Sequence, residues 1–341
     1  MMSNVPDPNN LLTRITDLID LARKQVVTTV NLVMVHTYFE IGRVIVEDEQ
    51  QGNARAEYGK ATLKELSQKL TTRFGRGFSV ENLDRMRFFY KTYTLSNSST
   101  ASTKFTLSWS HYLILMRIDR PDERSFYEIE SAAGSWSLRE LQRQVDSALY
   151  ERLALSRDKQ RVKELADKGQ RIQQPQDVLK DPYILEFLGL DEAAAYSESQ
   201  LETRIIDNMQ QFLLELGKGF TFVGRQVRFT FDESHFKVDL VLYNRLLQCF
   251  VLVDLKIGKL THQDLGQMQM YVNYYDRYEK QPHEKPTIGI LLCQKKNDML
   301  VELTLPQDTN IYASEYKLYL PEKQLLQQKL TEWATDFNNE N

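Results

Sequence analysis

Two segments near residue 250 set isolated charges inside apolar runs. The first, Phe236-Lys-Val-Asp-Leu-Val-Leu-Tyr243, carries the carboxylate of Asp239. The second, Phe250-Val-Leu-Val-Asp-Leu-Lys-Ile257, carries Asp254 and Lys256. Apolar and β-branched runs of this length are typical of buried strands. Because side chains alternate between the two faces of a strand, Asp254 and Lys256 are predicted to point to the same side.

Residues 244–248, between these two segments, are predicted to form a hairpin connection. Two antiparallel strands would bring Asp239 close to Asp254 and Lys256. Ionised groups inside an apolar strand are costly unless they form ion pairs or bind a metal. A buried Asp–Lys ion pair is the structural alternative, but one such pair does not account for Asp239.

The first half of the chain has apolar positions at helical spacing. Helices are predicted at 11–49, in two segments, and at 61–74, 79–93, 108–118, 121–133 and 137–155. Residues 156–174 are charged and glutamine-rich, with few apolar side chains, which is typical of a connector. We therefore predict a helical domain over 1–155, a connector over 156–180 and a second domain over 181–341.

The second half alternates between helical and strand patterns. Its first helix is predicted to begin at a capping box formed by Ser199 and Glu202, and to end near residue 216. The remaining elements are predicted strands at 220–231, 236–243 and 249–257, a helix at 261–278, strands at 287–293 and 312–320, and a helix at 321–337. This order predicts an α/β domain with a mixed sheet flanked by helices.

An Asp in one strand and an Asp-x-Lys in the next resemble the signature of the PD-(D/E)xK nucleases. Nearly the whole chain resembles the YhcG-like nucleases, bacterial proteins with a helical N-terminal domain before a PD-(D/E)xK domain. The segments that carry this resemblance are 107–112 (LSWSHY), 238–245 and 252–271. The resemblance implies a restriction-endonuclease-like core and a DNA-processing nuclease, serving restriction, defence or mobile elements. Val238 stands where the superfamily name has proline, a position that does not bind metal.

Phosphodiester hydrolysis requires a nucleophilic water and stabilisation of the charge on the phosphate, and a carboxylate-bound divalent metal supplies both. Mg²⁺ prefers oxygen ligands and keeps several waters. We predict Mg²⁺ or Mn²⁺ on Asp239 and Asp254, with the Leu255 carbonyl as a third candidate ligand. Lys256 is predicted to orient the attacking water or stabilise the developing charge. The superfamily resemblance makes Glu202 a further candidate ligand, whereas the alternative is a dipole-stabilising residue in the first helical turn.

Gln267 and Tyr271 are four residues apart on the helix after the Asp-x-Lys strand, so they are expected on one face. They resemble the Gln-x-x-x-Tyr element of RecB-like members of the superfamily. That resemblance implies a catalytic neighbourhood for Gln267 and contact with the nucleic-acid backbone for Tyr271. Lys259 lies at the strand-to-helix turn, where a phosphate could bind.

The predicted helices at 61–74 and 79–93 are separated by a glycine turn, which fits a helix-turn-helix near 61–93. Residues 60–91 contain eight basic and three acidic side chains, a local charge of +5. We predict that Arg85, Arg87 and Lys91 contact DNA phosphates or base edges. The alternative is a solvated helical hairpin with no ligand.

The net charge of −4 points to no class of partner by itself. Cys249 and Cys293 both lie in apolar runs, and no apolar run reaches the ~20 residues of a membrane-spanning helix, so we expect a cytoplasmic protein without a membrane partner. The expected partner is nucleic acid, with DNA favoured, and a homodimer is plausible because cutting both strands usually takes two sites. Two alternatives stay open: an inactive DNA-binding or assembly protein, and a nuclease for branched DNA or RNA.

Overall fold

The computed structural model describes residues 8–51, 56–96, 105–155, 159–190, 196–231, 233–306, 308–328 and 330–331. The chain divides into two compact units, Met1–Gln142 and Arg143–Asn341. The sequence-based boundaries at residues 155 and 181 stay predictions. Within the described ranges, no helix is both long enough and apolar enough to cross a membrane.

The first unit is helical, as predicted. Its helices are α1 (Pro8–Gln51), α2 (Ala56–Phe74), α3 (Val80–Ser96), α4 (Trp109–Leu115) and α5 (Pro121–Gly134), and α6 (Leu138–Asp146) crosses into the second unit. The prediction of two segments over 11–49 is wrong, because α1 is continuous. Gly42 does not interrupt α1. It allows α1 to pack closely on α3, because a Cβ at this position would collide with the Met86 carbonyl oxygen.

The second unit contains a six-stranded mixed sheet, which confirms the predicted fold class. The other helices are α7 (Leu149–Leu155), α8 (Lys159–Lys168), α9 (Glu198–Asp207), α10 (Met209–Leu216), α11 (His262–Tyr274) and α12 (Asp298–Thr304). The strands are β1 (Tyr183–Ile184), β2 (Phe220–Phe231), β3 (Ser234–Asn244), β4 (Cys249–Lys259), β5 (Ile288–Lys295) and β6 (Ile311–Lys317). They lie in the order β1-β6-β5-β4-β3-β2, with β2–β3–β4 antiparallel and the remaining pairs parallel.

Several predicted boundaries need correction. The predicted helix over 137–155 is two helices, since Ala148 takes a φ of +51° between α6 and α7. The helix predicted to reach residue 216 is interrupted at Asn208. Within the predicted terminal helix, residues 323–328 and 330–331 are helical, and 332–337 lie outside the described residues. Sequence patterns missed α12 and the short strand β1.

The two faces of the sheet are covered by different helices. Val253 and Leu255 of β4 belong to the core shared with α9 and α10. Leu252 belongs to the opposite core, which includes Leu265 and Met268 of α11. The same alternation directs Asp254 and Lys256 towards the α11 side of the sheet.

The β3–β4 hairpin fixes the register of the two charged strands. The Asn244 side chain is buried, and its Oδ1 accepts hydrogen bonds from the backbone N–H of Leu246 (3.0 Å) and Leu247 (3.1 Å). This turn places Leu240 opposite Val253. Asp239, one residue before Leu240, therefore lies beside the segment that contains Asp254.

A buried ion cluster ties α7 and α10 together. Glu215 is fully buried, and its Oε1 lies 2.6 Å from Nη1 of Arg152. Its Oε2 lies 3.2 Å from Nη2 of Arg143. Burial alone would raise the pKa of Glu215, but Arg152, Lys180 and Arg143 outweigh it and lower this pKa to about 2.

Candidate active site

Asp239 and Asp254 lie together at the junction of β3 and β4. Oδ2 of Asp239 accepts a hydrogen bond of 2.8 Å from the backbone N–H of Leu255. The Asp239 side chain thus contacts the β4 backbone just beyond the last β3–β4 pair, Leu240 and Val253. The structure thus brings the predicted carboxylates together, through the hairpin that the sequence indicated.

Lys256 and Asp254 form an ion pair on the α11 side of the sheet. Nζ of Lys256 lies 2.8 Å from Oδ2 of Asp254, and the Asp254 side chain is 3% exposed. That oxygen is close to the ammonium but accepts no well-directed hydrogen bond. The ammonium therefore compensates this buried oxygen mainly through its charge.

The carboxylates repel one another in a site with little water. Burial, and then the charge of Asp239, raise the pKa of Asp254 to about 7, although Lys256 opposes the shift. Burial lowers the pKa of Lys256, but the carboxylates of Asp254, Glu198 and Asp239 outweigh it and raise this pKa. The site consequently keeps a charged lysine beside carboxylates that favour an additional positive charge.

Gln226 was not predicted from the sequence, yet it joins two candidate ligands. Its Nε2 donates to Oε2 of Glu202 (2.7 Å) and to Oδ1 of Asp239 (3.0 Å). Gln226 lies in β2 with a φ of +47°, in the left-handed region that non-glycine residues rarely adopt. The feature that distinguishes Gln226 is its unusual backbone conformation, and the alternating pattern of a β-strand sequence does not predict such a conformation.

Glu202 is placed by a helix start different from the predicted one. Ser197, not Ser199, caps α9. Its hydroxyl accepts a hydrogen bond from the Gln200 N–H, and the side-chain carbonyl of Gln200 accepts one from the Ser197 N–H. Glu202 is therefore in the second turn, and the interpretation as a first-turn dipole residue is wrong. Burial, followed by the charge of Asp239, raises the pKa of Glu202.

Glu198, one turn before Glu202, was also missed. Its Oε1 accepts from the backbone N–H of Ile257 (3.3 Å), so α9 contributes two carboxylates near the end of β4. Its helical spacing from Glu202 was visible in the sequence, but the misplaced cap concealed the alignment.

Gln267 and Tyr271 lie on α11, on the side of the sheet that Asp254 faces. The Gln267 amide donates to the Tyr271 hydroxyl. Tyr271 is 1% exposed, and burial and then the charge of Asp254 raise its pKa. Lys259 is exposed at the end of β4, before Thr261 caps α11 through the Asp264 N–H. The structure thus brings Gln267 and Tyr271 to the site and leaves Lys259 at its solvent side.

The three basic side chains predicted to meet DNA lie on α3 of the first unit and differ in their surroundings. Nη1 of Arg87 lies 2.7 Å from Oε1 of Glu49, and Nη2 lies 2.6 Å from Oδ1 of Asp84. Nζ of Lys91 lies 3.6 Å from Glu49. Arg85 is exposed and pairs with no carboxylate in the described part of the chain. Glu49 of α1, outside the counted segment, thus neutralises part of the predicted basic patch.

The donor set fits a hard divalent cation. Among the described residues, no three side chains of His, Cys, Asp or Glu converge as a ready-made metal site. Two carboxylates and a backbone carbonyl suit Mg²⁺, which retains several waters, better than Zn²⁺, which favours closed nitrogen and sulfur sites. The buried Asp254 oxygen without a directed hydrogen bond is the acceptor that such a cation would use.

Known families match both halves of the chain. Residues 176–331 match the YhcG PDDEXK nuclease domain, and residues 14–152 match the DUF1016 N-terminal domain. The Escherichia coli (strain K12) protein named "Putative nuclease YhcG" is 40% identical over 345 residues, spanning 93% of this chain and 92% of that protein. The chain belongs to the YhcG family. Its second unit therefore contains a PD-(D/E)xK-type nuclease domain, as the resemblance implied.

Two solved structures are similar to part of the chain. A repair endonuclease from Pyrococcus abyssi is 19% identical, with a TM-score of 0.26, over 38% of this chain and 50% of that chain. The EndoMS–dsDNA2 complex is 18% identical, with a TM-score of 0.25, over 39% of this chain and 50% of that chain.

Proposed function

We propose that this YhcG-family protein is a divalent-metal-dependent nuclease that hydrolyses phosphodiester bonds of DNA. The observation that carries the proposal is the meeting of Asp239, Asp254 and Lys256, with Oδ2 of Asp254 buried beside the Lys256 ammonium. An inert ion pair needs only one carboxylate. The second carboxylate, one strand away, adds repulsion that serves cation binding rather than stability.

Asp239, Asp254 and the Leu255 carbonyl would hold Mg²⁺ or Mn²⁺, with Glu202 as a further oxygen donor. A bound divalent cation would supply charge stabilisation on the phosphate and a water of lowered pKa. Gln226 holds Glu202 and Asp239 through one amide, so both carboxylates are oriented before a cation arrives.

Lys256 carries the positive charge at the reacting phosphate in this proposal. Its ammonium, beside Asp254, is held in the charged form and can donate to the attacking water or to a phosphate oxygen. Gln267 donates a hydrogen bond to Tyr271, whose hydroxyl lies within the field of Asp254 and Lys256. We assign Gln267 a role in orienting the scissile phosphate.

Binding of the DNA backbone would use side chains around this centre. Lys259 and the N-terminus of α11 offer a cation and free N–H groups to a phosphate. Tyr271 would line the path of the backbone beside the carboxylates. Arg85, Arg87 and Lys91 are proposed as additional phosphate contacts, and of these Arg85 has no competing ion pair among the described residues.

The direct test is cleavage of supercoiled plasmid, linear duplex, branched DNA, single-stranded DNA and RNA by the full-length protein. We expect cleavage of DNA with Mg²⁺ or Mn²⁺ and none with EDTA. Cleavage confined to RNA would overturn the DNA assignment, and cleavage that persists in EDTA would overturn the metal assignment. DNA binding without cleavage of any substrate would favour a non-catalytic DNA-binding protein. The matches give no support for the predicted homodimer.

A further inference from the structure

A pocket of about 380 Å³ lies against α11 in the second unit, outside the carboxylate cluster. Pockets of this size, with aromatic walls and a few polar groups, are typical of sites for small flat ligands. Phe229, Tyr274 and Tyr278 supply the aromatic part of the lining. Gln269, Asn273 and Arg277 supply polar groups. None of these side chains has a role in the mechanism proposed above.

One stacked ring pair and a third, tilted ring form the aromatic wall of the pocket. The rings of Phe229 and Tyr274 are stacked, with centroids 4.1 Å apart and an interplanar angle of 19°. The ring of Tyr278 lies 5.1 Å from that of Tyr274, is tilted by 47° from it and is 64% exposed. An aromatic face at the protein surface is a platform on which any nucleobase can stack.

The polar side chains of the pocket are available to a ligand. The side chains of Gln269, Asn273 and Arg277 form no hydrogen bond or ion pair with the described residues. They follow one another at intervals of four residues, so they form one row beside the stack. Side-chain amides recognise the hydrogen-bonding edges of bases, and a guanidinium binds phosphate or stacks on a base.

Phe229 connects this pocket to the proposed catalytic centre. Its ring meets Tyr271 edge to face, with centroids 5.5 Å apart, and stacks on Tyr274 on the pocket side. Gln267 and Tyr274 are seven residues apart on α11, so they lie on the same side of the helix, roughly 10 Å apart along its axis. A strand whose phosphate is at the carboxylates could therefore place a neighbouring base in the pocket.

Bases inside an intact duplex are stacked and paired, so they cannot reach such a pocket without leaving the helix. We propose that the pocket binds an unpaired DNA base next to the scissile phosphate, an inference that rests on the proposed nuclease function. The protein then discriminates DNA with unpaired bases from fully paired DNA. Tyr274 stacks on the base, and Asn273 and Arg277 hold its edge and adjoining phosphate.

Gly266 offers a way to close the pocket without disturbing the core. It is a lining residue on α11, and a Cβ at this position meets no atom within 4 Å. Gly266→Leu fills the pocket, and Gly266→Ala is the matched control that leaves most of the space. Tyr274→Ala removes the stacking ring, whereas Tyr274→Phe keeps it.

The experiment measures binding of full-length protein in EDTA to two DNA duplexes of equal length, one fully paired and one with a single unpaired 2-aminopurine. We expect wild type, Gly266→Ala and Tyr274→Phe to bind the second duplex about tenfold more tightly, since stacking on an aromatic side chain is worth this much per base. We expect quenched 2-aminopurine fluorescence in these complexes. Gly266→Leu and Tyr274→Ala should lose the preference and the quenching.

Equal affinity of wild type for the two duplexes, or a preference that survives in Gly266→Leu, would overturn the proposal. A preference seen only with the corresponding RNA duplexes would overturn the DNA assignment. A change in oligomeric mass of Gly266→Leu by light scattering, with the preference intact, would reassign the pocket to self-association. Cleavage of paired duplex with Mg²⁺ is measured separately, so a failure of this proposal is distinguishable from a failure of the nuclease function.

Discussion

The side-chain amide of Gln226 lies 3.0 Å from Asp239 and 2.7 Å from Glu202, measured from Nε2 to Oδ1 and Oε2. One donor on β2 thus orients a carboxylate on β3 and another on α9. The conformation that directs it, with φ at +47°, costs a non-glycine residue on the order of 1–3 kcal/mol. The neighbouring pairs Arg225–Leu240 and Val227–Val238 remain in register, so this conformation is confined to Gln226.

Gln226→Ala removes the donor to both carboxylates. We expect DNA cleavage to fall by roughly 10- to 100-fold, because a hydrogen bond to a charged group contributes about 1.5–3 kcal/mol. Mn²⁺ affinity, measured by calorimetry, should fall as well, since the carboxylates lose their orientation. Gln226→Gly should show the same losses but a higher melting temperature than Gln226→Ala, because glycine adopts a positive φ without strain.

The matched control is Gln211→Ala on the exposed side of α10. Its cleavage rate and Mn²⁺ affinity should equal those of wild type. Wild-type cleavage and Mn²⁺ affinity in Gln226→Ala would show that Gln226 does not position the site.

The raised pKa of Asp254 predicts a pH dependence of stability. With a folded-state pKa of about 7, against roughly 4 in the unfolded chain, the native state binds more protons between these pH values. The contribution of Asp254 to the free energy of unfolding therefore falls as pH rises from about 4 to 7. Asp254→Asn removes this loss of stability. At pH 8 in EDTA, its free energy of unfolding should exceed that of wild type by roughly 1–3 kcal/mol, and its melting temperature should be higher.

A bound metal should turn the destabilising charge of Asp254 into a stabilising one. Because cation binding needs the deprotonated carboxylate, Mn²⁺ should raise the melting temperature of wild type more at pH 8 than at pH 6. Asp254→Asn should show little response to Mn²⁺, and Glu302→Gln, an exposed change on α12, should respond as wild type does. A Mn²⁺ response in Asp254→Asn equal to that of wild type would contradict the assignment of this ligand.

The buried cluster of Glu215 predicts acid sensitivity of the second unit. Its folded-state pKa of about 2 lies below the unfolded value of ~4.3, so it stabilises the fold above pH ~4.3. That stabilisation should disappear as pH falls from about 4 to 2. Glu215→Gln removes the buried carboxylate that Arg152 contacts at 2.6 Å, and we expect a loss of roughly 3–5 kcal/mol at pH 7.

Glu186→Gln is the control for the Glu215 cluster. Its carboxylate contacts Arg143 at 2.8 Å but is partly exposed, so its loss should reduce stability much less. Thermal unfolding between pH 2 and 7 measures both variants. A Glu215→Gln protein that unfolds at the wild-type temperature at pH 7 would show that the cluster does not stabilise the unit.

The sequence predicted the two charged strands, β3 and β4, because their charged residues conflict with their hydrophobic pattern. Asp254 and Lys256 stand out in β4, because a charge in a buried strand is costly unless it forms an ion pair or binds a metal. The hairpin between β3 and β4 was readable because Asn244 and its neighbours interrupt two apolar runs. The α/β order followed from the same alternation of patterns.

Other parts of the site depend on contacts that no local pattern encodes. Gln226 is an ordinary polar residue in a strand until its positive φ and its two carboxylate partners are known. The cap of α9 was misplaced because Ser197 and Ser199 both precede plausible capping partners, and only backbone geometry selects between them. Glu49 lies on another helix, so counting charges over 60–91 overlooked its pairing with Arg87.

Arg85 and Arg87 should behave differently when changed to alanine. Arg85→Ala removes an exposed cation, so we expect weaker DNA binding across sequences and a salt dependence of log K reduced by about 1. Arg87→Ala removes contacts to Glu49 and Asp84, so we expect a small loss of stability, up to about 1 kcal/mol for partly exposed pairs.

The control for these two variants is Arg139→Ala, another exposed arginine of the first unit. Fluorescence anisotropy at several salt concentrations gives the affinities and slopes. If Arg85→Ala matched Arg139→Ala in affinity and slope, the first unit would not use this helix face to bind DNA.

The central claim is tested most directly by the rate of DNA cleavage with Mg²⁺ under single-turnover conditions. Wild type is compared with Asp254→Asn and Lys256→Met, and with the exposed controls Glu302→Gln and Lys163→Ala. We predict losses of roughly 10²- to 10⁴-fold in the two site variants, with DNA binding retained, and wild-type rates in the controls. Equal cleavage by wild type and both site variants, or no cleavage by wild type in any divalent metal, would contradict the account.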